Sequence, residues 1–314
     1  MRLTWRQVMS WRTERHHLHR RASRKKMLEV IARIGGLHAQ LLSSAELTLW
    51  ARVEGLHPQA VQKALWEDRS LVKTWAMRGT LHLLTARELS LWHSVFNSHS
   101  RSRVDSHDLG RLVDGIAKAL DGRMLTREEL ADEVSRITGS AELGGKIRQS
   151  WGTMLKPAAF GGQLCFAPSA GQNVRFTRPD AWLPKSPSLD PEHALPEITR
   201  RYLTAYGPAT REDFRRWLGI GSARAKALLA AVSDEVAEVD LRGTKAWMLA
   251  RDVAAAKKSE PSQSVRLLPA FDQYVVAASL HIHIRQLLPG DFKKAIFRPQ
   301  GWISPVLLVG GRMD

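Results

Sequence analysis

The chain has 314 residues, 44% hydrophobic and 25% charged, a composition that suits a globular protein of two or more domains. Its single cysteine, Cys165, excludes an internal disulfide and a cysteine-built zinc cluster, and the lack of any run of about 18 apolar residues excludes a transmembrane helix. A formal net charge of +16 and a pI near 10.5 favour a polyanionic partner, nucleic acid ahead of an anionic membrane.

The first 27 residues read as a short helix carrying Trp5, Val8 and Met9, then a basic connector. No apolar run follows the early arginines and lysines, so no signal peptide is expected and the chain reads as cytoplasmic. Met27, Val30, Ile31 and Ile34 fall at i, i+3, i+4 and i+7 and predict a helix that Gly35 and Gly36 stop. After the triplet His38-Ala39-Gln40, Ser43 and Glu46 have capping-box spacing. They start a helix expected to run from about Ser44 to Val53 and to bury Leu47, Trp50 and Ala51. A third helix is expected from Pro58 to Trp66. The period then changes. Leu71 to Met77 and Thr80 to Leu84 read as strands joined by a turn at Arg78-Gly79, and Thr85 with Glu88 opens the next helix. Three helices followed by a hairpin is the order of a winged helix.

That order recurs twice. Helices are expected over Arg111–Leu120, from Thr126 to Ile137 and over Lys146–Ala159, followed by strands at Gln163–Phe166 and Val174–Thr177. Beyond a Pro-rich linker at 184–191, helices are expected from Pro191 to Ala205, from Thr210 onward and from Ser222 to Val232. Strands Val236–Leu241 and Lys245–Leu249 then flank Arg242-Gly243. Thr-Arg-Glu occurs at 126 and 210, a spacing of 84, and Arg-Gly-Thr occurs at 78 and 242, close to twice that spacing. Ala254 to Pro261 reads as a second linker. Val265–Leu268, Tyr274–Ser279, Ala295–Phe297 and Trp302–Val309 read as strands of a small β domain, and Gly310-Gly311 as a turn whose returning strand is missing, as if the chain were truncated. The expected class is α+β. Three winged helices at 1–110, 111–183 and 191–252 are expected to precede a truncated β-barrel at 262–314.

The residue types suggest chemistry at one place. In extended chain, residues i and i+2 point the same way, so His38 and Gln40 would face one point with Ala39 turned inward. An imidazole and an amide so placed could hold a water molecule, with His38 as its general base and Gln40 orienting it or steadying a developing sugar cation. The alternative is a buried, satisfied imidazole and a backbone-capping amide. Asp272, on a tight turn, is either a further catalytic carboxylate or a turn cap. Lys73, Arg78 and His82 on the first hairpin, and Lys146, Arg148 and Lys156 in the second repeat, are candidate phosphate contacts. Arg224 and Lys226 occupy the equivalent helix of the third. His281-Ile282-His283 would set two imidazoles on one strand face, but no third ligand is evident, so no metal is expected. Walker, GxGxxG and GxSxG motifs are absent, so no nucleotide cofactor is expected either.

Four ordered blocks carry a resemblance. They are Gly36-Leu37-His38-Ala39-Gln40 with Leu49-Trp50-Ala51-Arg52; Thr74 to His82; Leu268-Pro269-Ala270-Phe271-Asp272; and Gly301-Trp302-Ile303-Ser304-Pro305. Together they resemble the AlkZ/YcaQ-type winged-helix DNA glycosylases. The resemblance implies tandem winged helices with a C-terminal β-barrel, and excision of alkylated bases. The family's catalytic motif, Gln, an apolar residue, then Gln or Asp, falls on His38-Ala39-Gln40. The histidine looks like the variant of an antibiotic self-resistance subgroup, and that subgroup implies bulky N7-alkylguanine adducts as substrate.

The expected protein is a monomeric, metal-free, cofactor-free monofunctional DNA glycosylase acting on alkylated duplex DNA in the bacterial cytoplasm and nucleoid. Its rivals are a tandem winged-helix transcriptional regulator without catalysis and a catalytically dead lesion binder. A regulator would prefer a sequence, and a glycosylase would prefer damage.

Overall fold

The computed structural model describes residues 1–97, 106–185, 191–279, 281, 283–288 and 292–314. It is an α+β protein whose residues gather into two compact units, one formed by 1–58 with 195–314, the other by 59–194.

In the first unit, Thr4 caps the Trp5–Arg15 helix through a reciprocal box with Gln7. Trp5, Val8, Met9 and Trp11 from this helix enter a core with Leu268, Tyr274, Val275, Val306 and Leu308. The Met27–Arg33 helix ends where Gly35 and Gly36, both at positive φ, turn the chain, and Gly36 N–H donates to the Ile31 carbonyl at 2.9 Å. The next helix is Leu42–Trp50. It begins earlier than its sequence suggests, with Leu41 at the N-cap position, so Ser43 lies inside the first turn and does not cap it. Its Leu47 and Trp50, expected in the core, are exposed; Ser44, Ala45, Thr48 and Leu49 form the buried face.

Helices Pro191–Tyr206, Arg211–Leu218 and Ser222–Ala230 precede the antiparallel hairpin Val236–Leu241/Thr244–Leu249. Thr210 and Asp213 close the capping box expected from Thr-Arg-Glu. Ala254 to Pro261 is not all linker, since Val253–Lys258 is helical.

The C-terminal part departs most from its sequence pattern. Val265–Leu268 and Val306–Val309 pair antiparallel as expected. Tyr274–Ser279, however, belongs to a helix, Gln273–Ser279, and Lys293–Ile296 is a helix too. The Asp272 carboxylate accepts from Tyr274 N–H at 2.9 Å, which starts a helical turn that β-branched Val275 and Val276 would not favour alone. Burial of Tyr274, Val275 and Ala278 outweighs that local preference. Among the described residues the strands form an open three-stranded sheet and close no barrel. The strand returning after Gly310-Gly311 is present: Arg312–Met313 pairs back on Leu308 and Val309.

In the second unit, Leu71–Trp75 and Leu81–Thr85 form the expected hairpin. Arg78 and Gly79 both have positive φ, as do Arg242 and Gly243 in the other unit, but the first pair lies in a longer connection, residues 76–80, and the second is itself the tight turn between its strands. Helices Ser106–Ala119, Arg127–Thr138 and Ala141–Gln149 are followed by the hairpin Cys165–Ala170/Asn173–Thr177. The single helix expected over Lys146–Ala159 is broken. Gly152, at φ 93, turns the chain, and a second short helix, Lys156–Phe160, begins beyond it. Trp151 at that break is exposed and contributes nothing to the core of Leu112, Ile116, Leu130, Val134, Ile147, Phe166 and Phe176.

The Arg127–Thr138 and Ala141–Gln149 helices approach closely at Gly144. A Cβ there would meet the Ala131 carbonyl oxygen at 2.5 Å and the Ser135 hydroxyl at 2.0 Å. Gly144→Ala is therefore expected to destabilise this unit by about 2 kcal/mol, because a backbone atom must move. A lower calorimetric unfolding temperature checks this.

Candidate active site

The site grows from the turn at Gly35-Gly36. Tyr206 Oη donates to the Ile34 carbonyl at 2.7 Å and pins the end of the preceding helix. Leu37 and His38 are extended, with Leu37 and Ala39 fully buried. Ala39 thus turns inward, as the alternation of extended chain requires. His38 is 7% exposed, whereas Gln40 is exposed, so the triplet passes from interior to surface within three residues.

The Leu268–Asp272 segment lies against this triplet. The Phe271 ring stacks on the His38 imidazole with centroids 5.0 Å apart and planes 8° from parallel. Trp302 packs edge-on against Phe271 at 5.1 Å and is 42% exposed. Phe271 has φ 58, a left-handed conformation unusual for a bulky residue. Next to it, Asp272 is fully buried in a bidentate pair with Arg52, at 2.7 Å and 2.8 Å. Arg52 also donates to the Thr48 carbonyl at 2.9 Å, so the pair joins the Leu42–Trp50 helix to the Phe271 turn. Asp272 serves as the cap of the following helix and as the partner of Arg52.

The candidate phosphate contacts lie in the second unit. Lys73 is half-buried over the Phe166 ring, and burial lowers its pKa. His82 is fully buried, with Nδ1 3.0 Å from the Thr80 carbonyl oxygen. Lys146 pairs with Glu142, and Arg148 with Glu128 and Asp132. Lys156 Nζ lies against Gly79, which brings it beside the Arg78 turn. Arg224 and Lys226 lie on the Ser222–Ala230 helix of the first unit.

His281 and His283 do not share a strand face. They flank Trp5, with the two imidazoles 5.8 Å apart. His281 Nδ1 accepts from the His283 amide at 3.0 Å, and Nε2 sits 3.1 Å from Arg12 and 3.5 Å from Asp213. Protein groups thus surround both nitrogens. Burial, then the Arg12 guanidinium, pushes this imidazole's pKa down to about 3, against the pull of Asp213.

Residues 31–313 match the family model described as DNA glycosylase AlkZ-like. The chain belongs to the AlkZ-like DNA glycosylase family. It is thus a hydrolase of N-glycosidic bonds in DNA, a repair activity. It is 35% identical to the interstrand DNA cross-link repair glycosylase of Streptomyces sahachiroi, over all of this chain and 87% of that protein. The solved structure of the Streptomyces sahachiroi DNA glycosylase AlkZ superposes with a TM-score of 0.90 at 35% identity, covering all of this chain and 87% of the other. The AlkZ-like assignment removes the non-catalytic regulator.

Within the AlkZ-like frame, three residues had no role in the sequence: Phe271, which touches the triplet, and Arg52 and Trp302, which pack on the Phe271–Asp272 turn. Each lies in one of the four blocks, yet nothing local pairs Arg52 with a carboxylate 220 positions away.

Two outcomes follow from this geometry. Asp272→Asn leaves the Arg52 charge buried without its counter-ion, and a loss of about 3–5 kcal/mol in urea unfolding is expected. The unfolded chain protonates His281 below its usual 6.5, whereas the folded chain does so only near 3. The stabilisation from this group is therefore complete above pH 6.5 and drains away as pH falls toward 3, by up to about 1.4 kcal/mol per pH unit. Urea unfolding between pH 7 and pH 5 should show a shallower pH slope in His281→Gln than in the wild type.

Proposed function

We propose that the chain excises bulky N7-alkylguanine bases from duplex DNA, with His38 and Gln40 as its catalytic residues. The observation that carries the reading is the triplet's passage from a buried, ring-stacked imidazole to an exposed amide. N7-alkylation puts a positive charge on guanine and makes it a better leaving group. As the bond lengthens, positive charge gathers on the sugar, and the Gln40 amide oxygen can stabilise it. His38 can take a proton from the attacking water, which delivers hydroxide to the anomeric carbon and leaves an abasic site. No lyase step or cofactor is needed for this chemistry.

The exposed apolar side chains of Leu41, Leu47, Trp50 and Trp302 support a large, flat adduct. The relative's name supports cross-linked DNA as a source of such lesions; self-resistance to a DNA-alkylating product is the role we propose for their removal. Asp272 we read as holding the site's framework, since both its oxygens are engaged by Arg52.

We read 1–110, 111–183 and 191–252 as three winged helices that track one duplex. The order of three helices and a hairpin in 191–252, and the same order with the short Lys156–Phe160 helix added before the hairpin in 111–183, supports this. The hairpin Leu71–Trp75/Leu81–Thr85, with positive φ at Arg78-Gly79 as at Arg242-Gly243, is what favours extending it to 1–110. Arg78 and Lys156 are then the pair best placed for a common phosphate.

Single-turnover assays on duplexes bearing N7-methylguanine or a bulky intercalating N7-guanine adduct, with alkali to cut abasic sites, test the reading. His38→Ala and Gln40→Ala are each expected to slow excision by on the order of 100- to 1,000-fold. Near-wild-type rates in both variants would move catalysis away from the triplet, and failure of the wild type on either adduct would remove this substrate class.

A further inference from the structure

We propose that Phe271 is the positioning residue for His38, and that the Arg52–Asp272 ion pair exists to hold Phe271 in that role. The inference rests on the reading of His38 as the general base.

An imidazole can rotate about two side-chain torsions, and a base that must meet one water and one anomeric carbon loses rate steeply when misaimed. A flat ring lying parallel to the imidazole removes much of that freedom. Phe271 lies in this way, its plane 8° from that of the imidazole and the ring centroids 5.0 Å apart, an offset stack. Its backbone conformation is costly. A bulky side chain at φ 58 persists only where its surroundings over-determine it, and such strain gathers at functional sites.

The surroundings here do over-determine it. Phe271 N–H donates to the Ile303 carbonyl at 3.3 Å, and Asp272 N–H donates back to Pro269 at 3.2 Å. The Asp272 carboxylate is clamped by both terminal nitrogens of Arg52. The Phe271 ring also meets the Trp302 indole in a T-shaped contact with centroids 5.1 Å apart. The ring is thus held on its backbone by a buried ion pair and flanked by two aromatic neighbours, and the imidazole is one of them. A core-filling phenylalanine would need neither the left-handed backbone nor the parallel stack. Asp272 then influences the base through the phenyl ring without touching substrate.

The experiment uses the full chain with 13C-labelled histidine, assigning the His38 signals by His38→Gln. Wild type, Phe271→Leu and Phe271→Tyr are compared by NMR, by affinity for an N7-methylguanine duplex, and by single-turnover excision from it. In Phe271→Leu, the His38 ring protons should lose the upfield shift that a stacked phenyl imposes. Excision should fall by about 100-fold while duplex affinity changes little. Phe271→Tyr, which keeps the stack, should restore both the shift and the rate.

Unchanged His38 shifts in folded Phe271→Leu would overturn the proposal, as would a wild-type excision rate. So would a rate loss that Phe271→Tyr fails to rescue. If the wild type does not excise this base, the catalytic reading fails by itself, and the ring-proton shifts alone then decide whether Phe271 holds His38. If Phe271→Leu does not fold, Phe271→Met fills similar volume with a flexible chain and takes its place.

Discussion

A buried charge pair underlies the site. Arg52 and Asp272 are both fully enclosed, and each would be severely destabilising without the other. Their bidentate geometry ties the end of one helix to the start of another. Because Arg52 also bonds back to Thr48, the clamp is anchored in the Leu42–Trp50 helix, which directly follows the His38-Ala39-Gln40 triplet. Two chain segments that carry the candidate chemistry are thereby joined at one point.

Around this clamp, aromatic and histidine side chains act as spacers. Tyr206 holds the carbonyl that ends the helix before the triplet. His16 packs edge-on to both Tyr206 and Tyr274, and its imidazole is kept neutral by burial and by the nearby Arg52 and Arg12 guanidiniums. Tyr274, next but one after Asp272, bonds the Gly311 carbonyl and secures the last strand pair. Phe271 therefore stacks on the triplet's imidazole while these other rings hold the segments that lead to it, and Gln40 and Trp302 keep access to solvent. An enclosed imidazole beside an accessible amide is the arrangement on which the proposed hydrolysis rests.

The second unit supplies charge in a different form. Its cations are largely engaged: Lys146 and Arg148 pair with carboxylates, and Lys73 lies over an aromatic ring. The net charge of +16 is thus a property of the whole chain more than of any single patch. Affinity for duplex DNA built on such a charge is expected to be shared among many weak contacts and to fall steeply with salt.

Local chemistry determined a good deal. The helix from Met27, its stop at Gly35-Gly36, the capping boxes at Thr126 and Thr210, and the Arg-Gly hairpin turns were all legible. Each depends on residues within about two helical turns of one another. The inward turn of Ala39 was legible for the same reason. The four motif blocks were enough to indicate the AlkZ-like family. What the local pattern misjudged was decided by distant neighbours. Val275 and Val276 favour a strand, yet Asp272 starts a helix there and the core rewards it. Leu47 and Trp50 look like core residues, but the opposite helix face packs inward. The stack of Phe271 on His38 and the pair of Arg52 with Asp272 span more than two hundred residues, and no periodicity encodes them. Only the folded chain brings those groups within a few ångströms, because long-range contacts depend on the packing of whole elements, not on the preferences of the residues that make them.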